Sequence, residues 1–122
     1  MSDLEATIDT YLTAYSEPDP ALRLPLLERA FVADAKLIDP PIDGEGHQGI
    51  SDMMTAVLQH YAGHTFRRVS GIDEHHGFAR YGWEMQAPDG TVALAGLDIV
   101  EVDDDGMIVR VVGFLGPLPE EA

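Results

Sequence analysis

The 122-residue sequence predicts an α+β fold, in which three N-terminal helices pack on a curved, mostly antiparallel sheet. Apolar residues recur with helical spacing in the first half, and after Gly63 they change to runs that are typical of strands. The segments HHG, APDG and DDDG separate these runs and favour hairpin turns. Helices followed by a strand meander indicate one domain over residues 1–122.

The first helix is predicted to begin at Ser2, which forms a capping box with Glu5. Its apolar side chains share one face: Leu4, Ile8, Tyr11, Leu12 and Tyr15. The segment SEPDP ends this helix, and Asp19 and Pro20 supply the cap and first-turn proline of the next. Two consecutive amphipathic helices are therefore expected.

The second helix should bury Leu22, Leu26, Leu27 and Phe31. Pro25 lies inside it and predicts a kink or two short helices. A short strand, AKLID, follows. The third helix, GISDMMTAVLQHYAG, stops at its last glycine, and it should direct these residues inward: Ile50, Met53, Met54, Val57, Leu58 and Tyr61.

Four strands are predicted after the third helix: HTFRRVSGIDE, GFARYGWEMQ, TVALAGLDIVEV and MIVRVVGFL. The last two are apolar on both faces, so both faces of the sheet need to be covered. The helices cover one face. We expect a second copy of the chain to cover the other, which predicts a homodimer through the outer sheet face.

The composition excludes several partners. The chain has 22 acidic against 7 basic residues and a net charge of -15, which disfavours nucleic acid and anionic membranes as partners. It has no cysteine, which fits a reducing compartment. It has neither the pattern of a signal peptide nor an apolar run of the ~18 residues that span a membrane. We therefore expect a cytoplasmic protein.

Helices on the concave side of a bent sheet leave a cone-shaped cavity that suits an apolar ligand. Strand alternation makes Asp98 the only charged residue of the row that runs from Val92 to Val102. An apolar environment raises the pKa of a carboxyl group. Asp98 therefore either caps a backbone group, meets an arginine, or has a functional role.

Asp39 ends the first strand immediately before Pro40 and Pro41, where the sheet opens. Taken alone it indicates a turn-forming Asp-Pro. Tyr11 lies on the apolar face of the first helix, and taken alone it indicates a core tyrosine. These residues gain interest only if the fold brings them together.

The order of helix, proline-broken helix, strand ending in DPP, helix and four-strand meander resembles the nuclear transport factor 2-like superfamily. Within it, the sequence is similar to the SnoaL-like cyclases and the ketosteroid isomerases. The isomerases carry a tyrosine on the first helix, an Asp-Pro after the first strand and an aspartate on the penultimate strand. Tyr11, Asp39 and Asp98 occupy the matching places.

The resemblance implies a division of roles. Asp39 would act as the general base on a carbon next to a carbonyl group. Asp98, kept protonated, and Tyr11 would donate hydrogen bonds to the enolate oxygen. Apolar side chains would line the cavity, and we expect Met54, Leu58, Trp83 and Phe114 to do so. His47 is a candidate second acid–base group at the cavity mouth.

Neither a cofactor nor a metal is expected. His60 and His64 have i, i+4 spacing, but Gly63 interrupts the helix between them and no third ligand is evident. Motifs for serine hydrolases, P-loops and Rossmann folds are missing. Epoxide hydrolases of the same superfamily place an arginine between two aspartates, but alternation places Arg80 and Arg110 in rows that do not fit this role.

Two functions follow from the sequence. The first is a cofactor-free isomerase or cyclase that transfers protons on an apolar, steroid- or polyketide-like carbonyl compound. The second is a non-catalytic module of the same fold for small-molecule binding or dimerisation. Convergence of Tyr11, Asp39 and Asp98 on one cavity is the observation that the first hypothesis requires.

Overall fold

The structure, a computed structural model, describes residues 3–121. The elements in chain order are α1 (Asp3–Tyr15), α2 (Pro20–Ala30), β1 (Phe31–Asp39), β2 (Ile42–Glu45), α3 (Gly46–His60), β3 (Thr65–Arg68), β4 (Asp73–His75), β5 (Phe78–Gln86), β6 (Val92–Val102) and β7 (Ile108–Leu115). The predicted α+β class, with helices first and a meander after, is confirmed. The predicted capping box on Ser2 lies outside the described residues.

The strands form one curved, unclosed sheet in the order β2-β1-β7-β6-β5-β3, and β4 also pairs with β5. All pairings are antiparallel except that of β1 with β7, which is parallel. This parallel pairing sets the C-terminal end of β1 beside β7 and one strand away from β6. Residues that are far apart in sequence are thereby brought to one region of the sheet.

The strands differ in extent from the prediction. β1 begins at Phe31, four residues earlier than expected, and forms a hairpin with β2 that the sequence did not predict. The long strand expected after Gly63 is divided into β3 and β4, with a break over residues 69–72. There the hydroxyl of Ser70 accepts a hydrogen bond from the Gly82 backbone N–H. A side-chain oxygen thus takes the place of a backbone carbonyl as the partner of this strand residue.

α2 is one continuous helix despite Pro25. The Asp19 side chain caps it by accepting a hydrogen bond of 2.9 Å from the Ala21 N–H, as predicted. The carbonyl group that Pro25 leaves without a helical partner belongs to Ala21. Both residues are exposed, so water can satisfy that carbonyl and the helix continues.

The core lies between the helices and the concave face of the sheet. The predicted inward face of α1 is confirmed, since these residues are buried: Leu4, Ile8, Tyr11, Leu12 and Tyr15. The alternating residues of β5 are also buried on this face: Ala79, Tyr81, Trp83 and Met85. Leu22 of α2, expected inside, is 60% exposed, because α2 directs Arg23 rather than Leu22 into the interior.

Arg23 joins α2 to α3 from inside the protein. Its guanidinium group is fully buried and donates to the Ser51 carbonyl at 2.7 Å and to the Thr55 hydroxyl at 2.8 Å. The same group donates to the Glu17 carbonyl at 2.7 Å. A buried charge with this many partners is well satisfied, and it holds α3 in a fixed place over the sheet.

No helix within residues 3–121 is long and apolar enough to span a bilayer.

Candidate active site

A cavity of about 390 Å³ opens between α3 and the concave face of the sheet. This volume lies in the range of small-molecule sites. The lining is mostly apolar: Tyr15, Asp39, Pro40, Pro41, Ile42, Met53, Ala56, Val57, His60, Tyr61, Phe66, Trp83, Met85, Leu94 and Leu115. Asp39 is the only carboxylate among these lining residues, which gives the cavity a single acidic group.

A recess of about 10 Å³ adjoins this cavity. Its lining consists of Tyr11, Leu12, Tyr15, Asp39, Phe66, Trp83 and Asp98. Four of these residues also line the main cavity. The recess is about the size of one oxygen atom or water molecule. The structure thus places Tyr11, Asp39 and Asp98 around one recess.

Asp39 lies at the end of β1, where the chain turns into Pro40, and its carboxyl group points inward. The Tyr15 hydroxyl donates to its Oδ2 atom at 3.0 Å. Burial raises the pKa of Asp39 above its usual value, and the hydrogen bond from Tyr15 opposes that rise. Asp39 is therefore a carboxylate that is held in place and faces both the recess and the main cavity.

Asp98 is more deeply buried, with 2% of its surface exposed. It lies opposite Tyr81 in the β5–β6 pairing, and the Tyr81 hydroxyl donates to its Oδ2 atom at 2.7 Å. Burial raises the pKa of Asp98 to about 7, with the negative charge of Asp39 acting in the same direction and hydrogen bonding acting against it. Asp98 thus retains a proton to much higher pH than a solvated aspartate.

The two carboxyl groups meet over Gly113 of β7. Gly113 is paired with Asp98, and β7 also lies beside β1, the strand of Asp39. A β-carbon at position 113 would overlap Oδ1 of Asp39 and lie 3.2 Å from Oδ1 of Asp98. The missing side chain of Gly113 therefore provides the space in which both carboxyl groups are accommodated.

Replacement of Gly113 by alanine is expected to destabilise the protein by about 1–3 kcal/mol, because the added methyl group displaces the Asp39 carboxylate from Tyr15. Thermal unfolding followed by circular dichroism measures the effect. Gly71→Ala is the matched control, since a β-carbon there has no atom within 4 Å. An unchanged melting temperature for Gly113→Ala would show that the carboxyl groups do not need this space.

Tyr11 lies in the wall of the recess. Its ring packs edge-on against Phe31 at a centroid distance of 5.4 Å. Burial raises the pKa of its hydroxyl, and the charges of Asp98 and Asp39 add to that rise. The hydroxyl therefore remains protonated, which is the state that a hydrogen-bond donor needs.

The sequence interpretation missed the two tyrosines that hold the carboxyl groups. Tyr15 follows Tyr11 by four residues, so both lie on one face of α1. Tyr81 belongs to the inward row of β5 and lies opposite Asp98. The first signal is visible in the sequence as a repeated tyrosine at helical spacing. The second depends on the strand register.

Among the residues predicted to bind substrate, Trp83 lines both the cavity and the recess. Met54 and Leu58 do not line either, which corrects that prediction. The face of α3 that borders the cavity carries Met53, Ala56, Val57 and His60. Met54 is fully buried in the core on the neighbouring side of the helix, and Leu58 follows it by one turn.

Phe114 was also predicted wrongly, since its side chain is 56% exposed and lies on the outer sheet face. Its neighbour Leu115 lines the cavity instead. His47, the proposed second acid–base group, is not among the lining residues either. Its Nε2–H group donates to the Phe31 carbonyl at 2.9 Å, so the ring joins α3 to the start of β1.

Within residues 3–121, no three His, Cys, Asp or Glu side chains are arranged to hold a metal ion. His60 borders the cavity, whereas His64 bonds to the Ala62 carbonyl. Arg80 pairs with Asp73, and Arg110 lies near Glu101, both at the surface. Neither arginine lines the cavity or the recess, so the arrangement differs from an arginine held between two aspartates.

Comparison with solved structures gives clear matches, although no protein-family model and no curated protein matches the chain. A proposed isomerase of the SnoaL-like family from Agrobacterium tumefaciens is 35% identical, with 96% of this chain and 100% of that chain covered and a TM-score of 0.87. A proposed polyketide cyclase from Sinorhizobium meliloti is 16% identical, with 93% and 95% covered and a TM-score of 0.70. An NTF2-like protein of unknown function from Exiguobacterium is 17% identical, with 92% and 99% covered and a TM-score of 0.68.

Helices on a curved sheet around a conical cavity define the nuclear transport factor 2-like superfamily, and the structural matches agree. Within this superfamily, the chain belongs to the SnoaL-like family, as the 35% identity over nearly its whole length shows.

Proposed function

We propose that this protein is a cofactor-independent isomerase or cyclase that transfers a proton on an apolar carbonyl compound of steroid- or polyketide-like character. The observation that carries this proposal is the pair of carboxyl groups, Asp39 and Asp98, at one recess of an apolar cavity. A proposed isomerase and a proposed polyketide cyclase among the structural matches support it at the level of the family.

The two carboxyl groups have unlike surroundings, which separates their roles. Asp39 faces the main cavity; burial raises its pKa, and the Tyr15 hydroxyl opposes this rise by stabilising the anion. Asp98 faces only the recess, and burial together with the charge of Asp39 keeps it protonated up to about pH 7. A base and an acid in adjacent positions are what proton transfer next to a carbonyl group requires.

In this proposal the carbonyl oxygen of the substrate enters the recess and its apolar body fills the cavity. Asp39 removes a proton from the carbon next to the carbonyl group, and negative charge develops on the oxygen. Asp98 and Tyr11 donate hydrogen bonds to that oxygen. Asp39 then returns the proton to the same or another carbon, so no proton is gained or lost overall. The apolar lining excludes water, which strengthens these interactions.

The test is proton exchange at carbon, which does not require the natural substrate. A panel of apolar cyclic ketones is incubated with the protein in D₂O, and loss of the α-proton signal is followed by NMR. We expect exchange faster than in buffer of equal carboxylate concentration. Binding of these ketones without faster exchange would refute catalysis and support the alternative, a non-catalytic binding module.

We also propose that a second copy of the chain covers the outer sheet face. Apolar side chains form a continuous patch there, named the outer patch: Ile38, Leu97, Ile99, Val112 and Phe114. The first and last of them are 37% and 56% exposed, and the strand pairings join all five. A patch of this kind is typical of a protein interface.

The expected mass in sedimentation equilibrium is therefore twice 13.3 kDa. Phe114→Glu should shift the protein toward the monomer, because it places a charge in the middle of the interface. Leu118→Glu is the control, since Leu118 is 93% exposed and lies beyond the last strand. A monomeric wild-type protein at high micromolar concentration would contradict the dimer.

A further inference from the structure

The indole N–H of Trp83 is a buried donor without an acceptor. Trp83 is 6% exposed, and its Nε1 atom has no hydrogen-bond partner within the described residues 3–121. Buried indole N–H groups usually have a partner, because a buried donor without an acceptor loses the hydrogen bond that water would give it. A donor retained at this cost at the edge of a cavity indicates a ligand atom that it binds.

The position of this N–H relative to Asp98 shows which space it faces. It is close enough to the Asp98 carboxyl group to lower the pKa of that group. The geometry nevertheless falls short of a hydrogen bond between them. Asp98 lines the recess but not the main cavity, and Trp83 lines both. The N–H group therefore lies on the recess side of the ring and is available to an oxygen placed there.

The ring is held in this orientation by its neighbours. Gly96, which is paired with Trp83, has no side chain, and a β-carbon there would lie 2.7 Å from the indole Cζ2 atom. The indole therefore packs directly on the backbone of β6. The Phe66 ring also packs against the Trp83 ring, at a centroid distance of 5.6 Å. A donor fixed in this way needs little reorganisation when a ligand binds.

We propose that the Trp83 Nε1–H group is a ligand-binding donor of the recess and bonds to the single carbonyl or phenolic oxygen of an otherwise apolar ligand. It acts beside Asp98 and Tyr11, so the oxygen meets donors from α1, β5 and β6. This rests on the proposed function in one respect, namely that the cavity takes apolar carbonyl compounds. Trp83 thereby becomes a specificity-determining residue rather than only an apolar wall.

A site built around such donors discriminates against ligands that lack the oxygen, because the donors are then left unpaired. We expect 2-naphthol, whose hydroxyl oxygen resembles that of an enol, to bind about 10-fold to 100-fold more tightly than naphthalene. The two compounds have the same ring system, so their difference isolates the contribution of the oxygen.

The experiment uses the full chain, which has one tryptophan and therefore one indole N–H signal in a ¹H–¹⁵N NMR spectrum. Titration with 2-naphthol should move this signal downfield, as hydrogen bonding does. Naphthalene is the control for ring-current shifts and should not reproduce the movement. Trp83→Phe keeps an aromatic ring but removes the donor, and it should reduce the preference for 2-naphthol about 5-fold to 10-fold, with naphthalene affinity little changed.

The outcomes separate the two proposals. Equal affinities and equal N–H shifts for both compounds would overturn the role of Trp83 and leave the apolar cavity intact. Failure of both compounds to bind would overturn the ligand class and, with it, this inference. A downfield shift with 2-naphthol alone supports both, and because it is seen in the wild-type protein it does not depend on whether Trp83→Phe folds.

Discussion

Replacement of Asp39 by asparagine is expected to slow α-proton exchange by about 10²-fold to 10⁴-fold, while affinity for apolar ketones changes only a few-fold. Asparagine preserves the shape of the side chain and can still accept the hydrogen bond from Tyr15, but its amide is no base. The NMR exchange assay measures the rate, and a ligand titration measures the affinity.

Asp43→Asn is the matched control. Asp43 is an exposed carboxylate on β2 and lies in the same β1–β2 hairpin as Asp39. It should leave the exchange rate unchanged. If Asp39→Asn retained half of the wild-type rate or more, Asp39 would not be the base, and the proposed mechanism would fail.

The second large effect concerns Asp98 and the dependence of stability on pH. The folded protein holds a proton on Asp98 up to a pKa of about 7, whereas the unfolded chain releases it near the ordinary aspartate pKa of 3.8. Between these values the folded state binds more protons than the unfolded state. The contribution of Asp98 to stability is therefore complete below about pH 4 and is lost as the pH rises to about 7.

Asp98→Asn removes this dependence, since the amide does not titrate. We expect the variant to gain stability relative to wild type as the pH rises from 4 to 8, by at most about 4 kcal/mol. Urea unfolding at a series of pH values measures the difference. The exposed Asp104→Asn, on the β6–β7 turn, controls for removing one negative charge from a protein with a net charge of -15.

A constant difference between Asp98→Asn and wild type across this pH range would show that Asp98 has no raised pKa. The same titration limits catalysis, because α-proton exchange by wild type should fall above about pH 7 as Asp98 loses its proton.

Local periodicity accounts for the parts of the fold that were predicted correctly and for the inward placement of two candidate site residues. Helical spacing identified the buried face of α1, including Tyr11, and alternation identified the inward row of β6 with Asp98. These patterns reflect burial within a single element, which the sequence records directly. Alternation counted from the buried Ile108 would direct Phe114 inward as well. The β6–β7 pairing, however, is irregular between Arg110 and Ile108. This irregularity turns Phe114 outward.

Contacts between elements were not predictable in this way. The pairing of Tyr81 with Asp98 depends on the register of β5 and β6, and the meeting of Asp39 with Asp98 depends on the parallel placement of β1 beside β7. Gly113 is decisive for that meeting, yet its importance is the absence of a side chain at one point of the assembled sheet. No spacing rule indicates such a gap.

The presence of a single carboxylate, Asp39, among the residues that line the cavity has a stereochemical consequence for the proposed reaction. A planar enolate held in the cavity would expose only one of its faces to this base. Removal and return of the proton would then occur on that same face, and an isotopic label at the first carbon would be partly carried to the second. The position of one side chain at the end of β1 would thereby set the handedness of the product.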